Sequence, residues 1–361
     1  MVTFKNLSDY SELNSGTMKA RQFFSTNMLL ALLFFLFPQD AASQNKPHAK
    51  TFFEHLARVE AAKLSLEIDL TTLLENRKSE QYYPATLTDS DGKMYRIEVK
   101  ARGKYRRKIS EIPPLKIKIK KNLLKDAGLV DTLNELKLVL PTYDNALGDE
   151  LVIKEYLAYR MFEHLTSASV RARLIRLTIR DMHVEKTRKM YAILLEDEEE
   201  TVARLNGVLV EQYGTSPDSL IMNQAALVSV FEYMIGNTDW DIAMLRNVRL
   251  IKSPATGKIL VVPYDFDFSG MVAAPYSSPS SDSGLKTVRD RFMMANGIPT
   301  EHLKRAVRGI RDKKKDILNI CRSKYLSIEA SEQLVDYLET FFQQIEETEE
   351  VPRLFRMPPT D

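Results

Sequence analysis

The chain has 361 residues, 44% hydrophobic and 28% charged, values that exclude a disordered polar chain and allow a substantial packed core. Its formal net charge is only +2, so no overall field drives it toward nucleic acid or an acidic membrane. Cys321 is the single cysteine, which excludes an internal disulfide, and the five histidines stand nowhere at metal-ligand spacing.

Lys19 and Arg21 precede an unbroken apolar run, Met28 to Phe37, which Pro38 ends; Ala41 and Ser43 then supply small side chains before Gln44. A basic start, a short apolar stretch and a small-residue cleavage site form the pattern of a secretory signal peptide. A membrane-spanning helix would need ~20 apolar residues. Residues 18–43 are therefore read as an export signal and residues 1–17 as an upstream extension, with Met18 as the start. The mature chain is expected in the periplasm or outside the cell, with no transmembrane segment after cleavage.

Residues 52–63 carry helical patterning and residues 64–70 a strand-like run. Tyr95, Ile97 and Val99 alternate with Arg96, Glu98 and Lys100, and Leu115, Ile117 and Ile119 alternate with Lys116, Lys118 and Lys120. Period two gives one buried and one wet face, as in an antiparallel sheet. Asp91-Gly92 is a hairpin-turn signal. Asp149 and Glu150 lead a helix whose Ile153, Leu157, Met161 and Leu165 form one apolar stripe. Strands are predicted at 174–179 and 190–195, and Glu196 to Glu200 reads as the solvated acidic start of a helix. A helix over 225–235 ends in Gly236-Asn237, a hairpin joins strands 248–251 and 258–262, and residues 300–347 hold two or three amphipathic helices. This order predicts an α+β chain, with a sheet-rich lobe at 44–195 and a helical C-terminal lobe at 196–361.

The chemistry gathers in Gly236-Asn237-Thr238-Asp239-Trp240-Asp241, in Asn247, and in Pro263-Tyr264-Asp265-Phe266-Asp267-Phe268-Ser269-Gly270. Hairpin strands run antiparallel, so Asn247 and Asp265 at its two ends should lie side by side, with Asp239 just upstream. A carboxylate and an amide oxygen together suit a hard cation such as Mg²⁺, and a further carboxylate can take the proton of an attacking hydroxyl.

The segments GNTDW, NVRLI and VVPYDFDFSG resemble the catalytic segments of the spore-coat CotH-type kinases, an atypical branch of the protein-kinase-like fold. Lys100-Ala101-Arg102-Gly103, Pro114 to Lys118, Glu150 to Leu165, Arg171 to Leu174 and Tyr191 to Glu196 are similar to further segments of that family, so the resemblance spans roughly residues 95–270. It implies a two-lobed fold, an N-terminal antiparallel sheet plus helix followed by a mainly helical lobe. It implies phosphoryl transfer from ATP with Mg²⁺ to a protein acceptor. Asp239 would be the catalytic base, Asn247 and Asp265 metal ligands helped by Asp267, and Lys116 or Lys118 with Arg102 the nucleotide-binding groups. Asp239 and Asn247 stand eight residues apart where kinase catalytic loops have five, so Asp241 is a second candidate for the base. There is no glycine-rich phosphate loop. Two other classes compete: an inactive binding module of the cell envelope, whose partner the sequence does not name, and a phosphatase with an aspartate nucleophile at Asp265-x-Asp267.

Overall fold

Alternating apolar residues in the first half of the chain line the inside of a closed barrel. The computed structural model describes residues 49–295 and 297–347; the segment read as an export signal and the residues before it lie outside the described residues. In chain order the elements are α1 (Phe52–Leu56), β1 (Ala62–Ile68), α2 (Leu70–Glu75), β2 (Tyr83–Thr88), β3 (Met94–Ala101), α3 (Arg106–Ile109), β4 (Leu115–Ile119), α4 (Lys121–Asp126), β5 (Glu135–Val139), α5 (Ala146–Leu165), β6 (Ala172–Asp181) and β7 (Thr187–Leu195). There follow α6 (Glu198–Arg204), β8 (Val208–Val210), α7 (Met222–Ile235), β9 (Val248–Lys252), β10 (Ile259–Pro263), α8 (Thr300–Asp312), α9 (Lys314–Cys321) and α10 (Ile328–Glu347).

Seven strands close in the order β1-β2-β3-β4-β5-β7-β6. Every pairing is antiparallel except the closing one, in which β1 runs parallel to β6 from Ala62 beside Ile175 to Ile68 beside Asp181. Leu66, Val99, Ile117, Leu136, Leu177 and Ala192 meet inside, with Phe52 and Phe53 of α1 in the same cluster. This overturns the protein-kinase-like two-lobed arrangement of an N-terminal antiparallel sheet beside a helix and a helical C-terminal lobe. The sheet has no free edge at β1: one edge takes β2, the other takes β6, and the result is a closed mixed barrel. The helical patterning read over 52–63 is cut to α1, because Ala62, Leu64 and Leu66 are needed at period two in β1.

β6 at its start and β7 at its end are apolar on both faces, while Arg176, Thr178 and Arg180 keep the rest of β6 wet on one face. Leu177 and Ala192 face the barrel, whereas Leu174, Ile193 and Leu195 join a second core with α5, α7, the hairpin and the C-terminal helices. A strand buried on both faces carries a near-continuous apolar run, which is how Met190 to Leu195 reads. Glu196, expected on a solvated helix start, is instead fully buried. It accepts from Arg171 and Arg204, and a buried carboxylate demands such pairing. The second sheet is small, in the order β10-β9-β8. Among the described residues no helix is long and apolar enough to cross a membrane.

Candidate functional site

The β9–β10 hairpin pairs Val248 with Pro263, so the residues just outside it meet: the Tyr264 amide donates to the Asn247 carbonyl at 2.9 Å. Asn247 and Asp265 both adopt left-handed backbone conformations, with φ of 51° and 68°. For a non-glycine residue that costs about 1 kcal/mol or more, and Asn and Asp tolerate it best because their short side chains bond locally. Asn247 does so. Its Nδ2 donates to the Asp239 carboxylate at 2.9 Å and to the Asp239 carbonyl at 2.6 Å. That leaves Oδ1 as the free acceptor end of the amide. The Asp265 amide donates to the Tyr159 hydroxyl at 2.8 Å, which ties this loop to α5.

Asp267, two residues on, is 4% exposed; the Tyr276 hydroxyl donates to it at 3.0 Å. Behind it Arg106 bridges Glu155 at 3.0 Å, the Leu140 carbonyl at 2.5 Å and Asp267 at 3.7 Å. Three carboxyl groups, Glu155, Asp265 and Asp267, thus act on one guanidinium, and Asp239 stands near Asp265. Burial works against the charge of Arg106, yet Glu155 and its other neighbours raise its pKa, so it stays charged. Burial, and then the charge of Asp265, push Asp267 above the usual carboxylate range. Asp239 is raised for the same two reasons in the same order.

These groups face a cleft of about 460 Å³. Asp239, Asn247, Asp265 and Asp267 form its acidic wall, and Arg102, Lys104 and Arg246 line it as cations. Gly103, with φ of 86°, lets the chain turn between Arg102 and Lys104 at the end of β3. Arg246 lies 3.9 Å from Asp239 and is 47% exposed, a loose pair that an incoming anion can displace.

The structure therefore brings together Asp239, Asn247, Asp265, Asp267 and Arg102. It places Lys116 and Lys118 elsewhere: both pair with Glu135 of β5, and neither is among the residues lining this cleft. Asp241 turns away from Asp239. Its carboxylate accepts the Met244 amide at 2.7 Å, and its backbone pairs with Arg246, so 241–246 bulges out as a closed loop. Asp241 lines a separate cavity of about 230 Å³ with the buried Trp240.

Sequence reasoning missed Glu155, Arg106 and Lys137. Lys137 on β5 is 15% exposed and pairs with Asp197 at 3.5 Å. Burial, then Arg249, lowers its pKa to about 8. Val139, two residues on along the same face, lines the cleft, as does Tyr264, over which Arg249 stacks. The Asp197 Oδ1 and Arg249 Nε atoms of this cluster are buried without a hydrogen-bond partner among the described residues. Alternation in Glu135-Leu136-Lys137-Leu138 was the available signal for this strand.

Among the described residues no three His, Cys, Asp or Glu side chains form a metal cage. Two aspartates and an asparagine oxygen fit Mg²⁺, which keeps waters or phosphate oxygens for the rest of its shell.

No family model and no curated protein matches the chain. Among solved structures it is similar to the Helicobacter pylori proinflammatory kinase CtkA, at 12% identity over 57% of this chain and 85% of that one, with a TM-score of 0.33. The likeness to a kinase is thus distant. It transfers no residue roles, and the CotH-type resemblance stays a matter of the motifs.

Proposed function

We propose that the chain is a Mg²⁺-dependent phosphotransferase that moves the terminal phosphoryl group of a nucleotide such as ATP to a protein hydroxyl. The observation that carries this reading is a cleft with Asp239, Asn247 and Asp265 on one wall and Arg102, Lys104 and Arg246 around it. The motif resemblance to the CotH-type kinases agrees with it, and the export signal read at residues 18–43 sets its proposed place outside the cytoplasm.

In this reading Asp239 accepts the proton of the attacking hydroxyl. Asn247 holds one carboxylate oxygen, Oδ2, and so orients the other. The raised pKa of Asp239 makes it a better proton acceptor than a solvated aspartate. Asp265, Asp267 and the Asn247 Oδ1 would hold Mg²⁺, whose charge would neutralise and orient phosphate oxygens. Arg102, Lys104 and Arg246 supply the remaining positive charge, the role expected of Lys116 or Lys118 from the sequence. Tyr159 fixes the Asp265 backbone.

The test is Mg²⁺-dependent loss of the γ-phosphate of ATP, to water or to protein, together with nucleotide binding. Asp239→Asn should lower turnover by roughly 10²–10⁴-fold and still bind nucleotide. Asp265→Asn should lose the Mg²⁺-dependent part of binding. A folded wild-type chain with neither binding nor turnover at millimolar MgATP would point instead to the binding-module reading.

A further inference from the structure

Glu232 lies in the last turn of α7, with no exposed surface. A carboxyl in that setting gives up its hydration, and an apolar side chain would pack the position at lower cost. It lines neither cavity described above. Among the described residues its one side-chain partner is Asn237, whose Nδ2 donates to Oε2 at 3.0 Å, and Oε1 has none. Asn237 is itself 1% exposed, and its Oδ1 accepts the backbone amide of Asp239 at 3.0 Å. Gly236, left-handed at φ 68°, ends α7 between them, and the Asn237 amide returns to the Glu232 carbonyl at 2.8 Å.

An asparagine side chain has a donor end and an acceptor end of nearly equal shape, so its neighbours decide which way it points. Asn237 turns its NH₂ toward Glu232 Oε2 and its oxygen toward the Asp239 amide, so each end of the amide meets a complementary group. We propose that Glu232 is a positioning residue: by fixing the orientation of the Asn237 amide, it sets the backbone of Asp239. The chain runs from the buried acid through Asn237 to Asp239, and from Asp239 to Asn247. Burial pushes the Glu232 pKa up to about 8, so at neutral pH the group is mostly an uncharged acid whose oxygen still accepts the bond. Glutamine reproduces that geometry, and leucine removes it.

This proposal rests on the phosphotransferase reading for its kinetic part only. The experiment compares wild type, Glu232→Gln, Glu232→Leu and Asn237→Ala in two readouts. The first is hydrogen exchange of the amides over 236–247, which needs no activity. E232L and N237A should expose the Asp239 amide at least ~10-fold more while barrel amides exchange as in the wild type, and E232Q should protect it. The second is turnover. E232L should lower kcat by ~10–100-fold with the nucleotide KM within ~2-fold, and E232Q should restore kcat. Should E232L not fold, N237A carries the comparison, since it removes the linking amide. Unchanged Asp239 exchange in E232L or N237A, or E232Q as impaired as E232L, would overturn the proposal. A wild type without turnover would refute the function and still leave the exchange result decisive for the clamp.

Discussion

Buried carboxyl groups dominate the surroundings of the hairpin, and Glu232 gives the clearest consequence for stability. Burial moves its pKa from 4.5 to about 8 on folding. The folded state therefore binds the proton more tightly than the unfolded one between those values. The Glu232 contribution to stability is then full below about 4.5 and is lost as pH rises through 8. Ionisation of a fully buried group shifted this far costs on the order of a few kcal/mol. Glu232→Gln removes the titration. Its denaturant midpoint should match the wild type near pH 4.5 and exceed it at about pH 9, widening between. Parallel curves would show that Glu232 does not titrate on this scale. Asp239 leads to a kinetic counterpart. Its raised pKa moves the acid limb of any pH–rate profile above the ordinary value of 3.8, because the base must be ionised to act.

At the scale of elements, α5 links the helical core to the cleft. Glu155 and Tyr159 stand four residues apart, so both side chains lie on one face; one holds Arg106 and the other receives the Asp265 amide. Tyr159→Phe deletes that acceptor and keeps the ring packed on Phe266 at 4.7 Å. It should cost about 1–2 kcal/mol in unfolding free energy and weaken Mg²⁺-nucleotide binding, read by denaturant titration and calorimetry. Unchanged binding would show that the Asp265 backbone holds its shape without α5. The apolar stripe of α5 and the hairpin register were legible in the sequence, because both are set by local periodicity and turn residues. Asp239, Asn247, Asp265 and Asp267 were legible for that reason, lying just outside one hairpin. Glu155, Arg106 and Lys137 were not. Arg106 meets Glu155, and Lys137 meets Asp197, only through tertiary packing, which no local pattern encodes.

Over the whole molecule, barrel closure was the least legible feature. β1 meets β6 across more than a hundred residues, through a parallel pairing that leaves no turn signal between them. Closure leaves the connection after β3, with Arg102 and Lys104, opposite the hairpin loops that carry Asp239 and Asp265. The cleft thus draws on both sides: Arg102 and Lys104 follow β3 of the barrel, whereas Arg246 and the acids flank the β9–β10 hairpin. The most direct measurement is a calorimetric titration of a non-hydrolysable ATP analogue into wild type and Asp265→Asn, each with Mg²⁺ and with EDTA. Wild type should bind at least ~10-fold more tightly with Mg²⁺, and that difference should vanish in the folded variant. Affinity in the wild type that is the same with and without Mg²⁺, or no binding at all, would contradict the account.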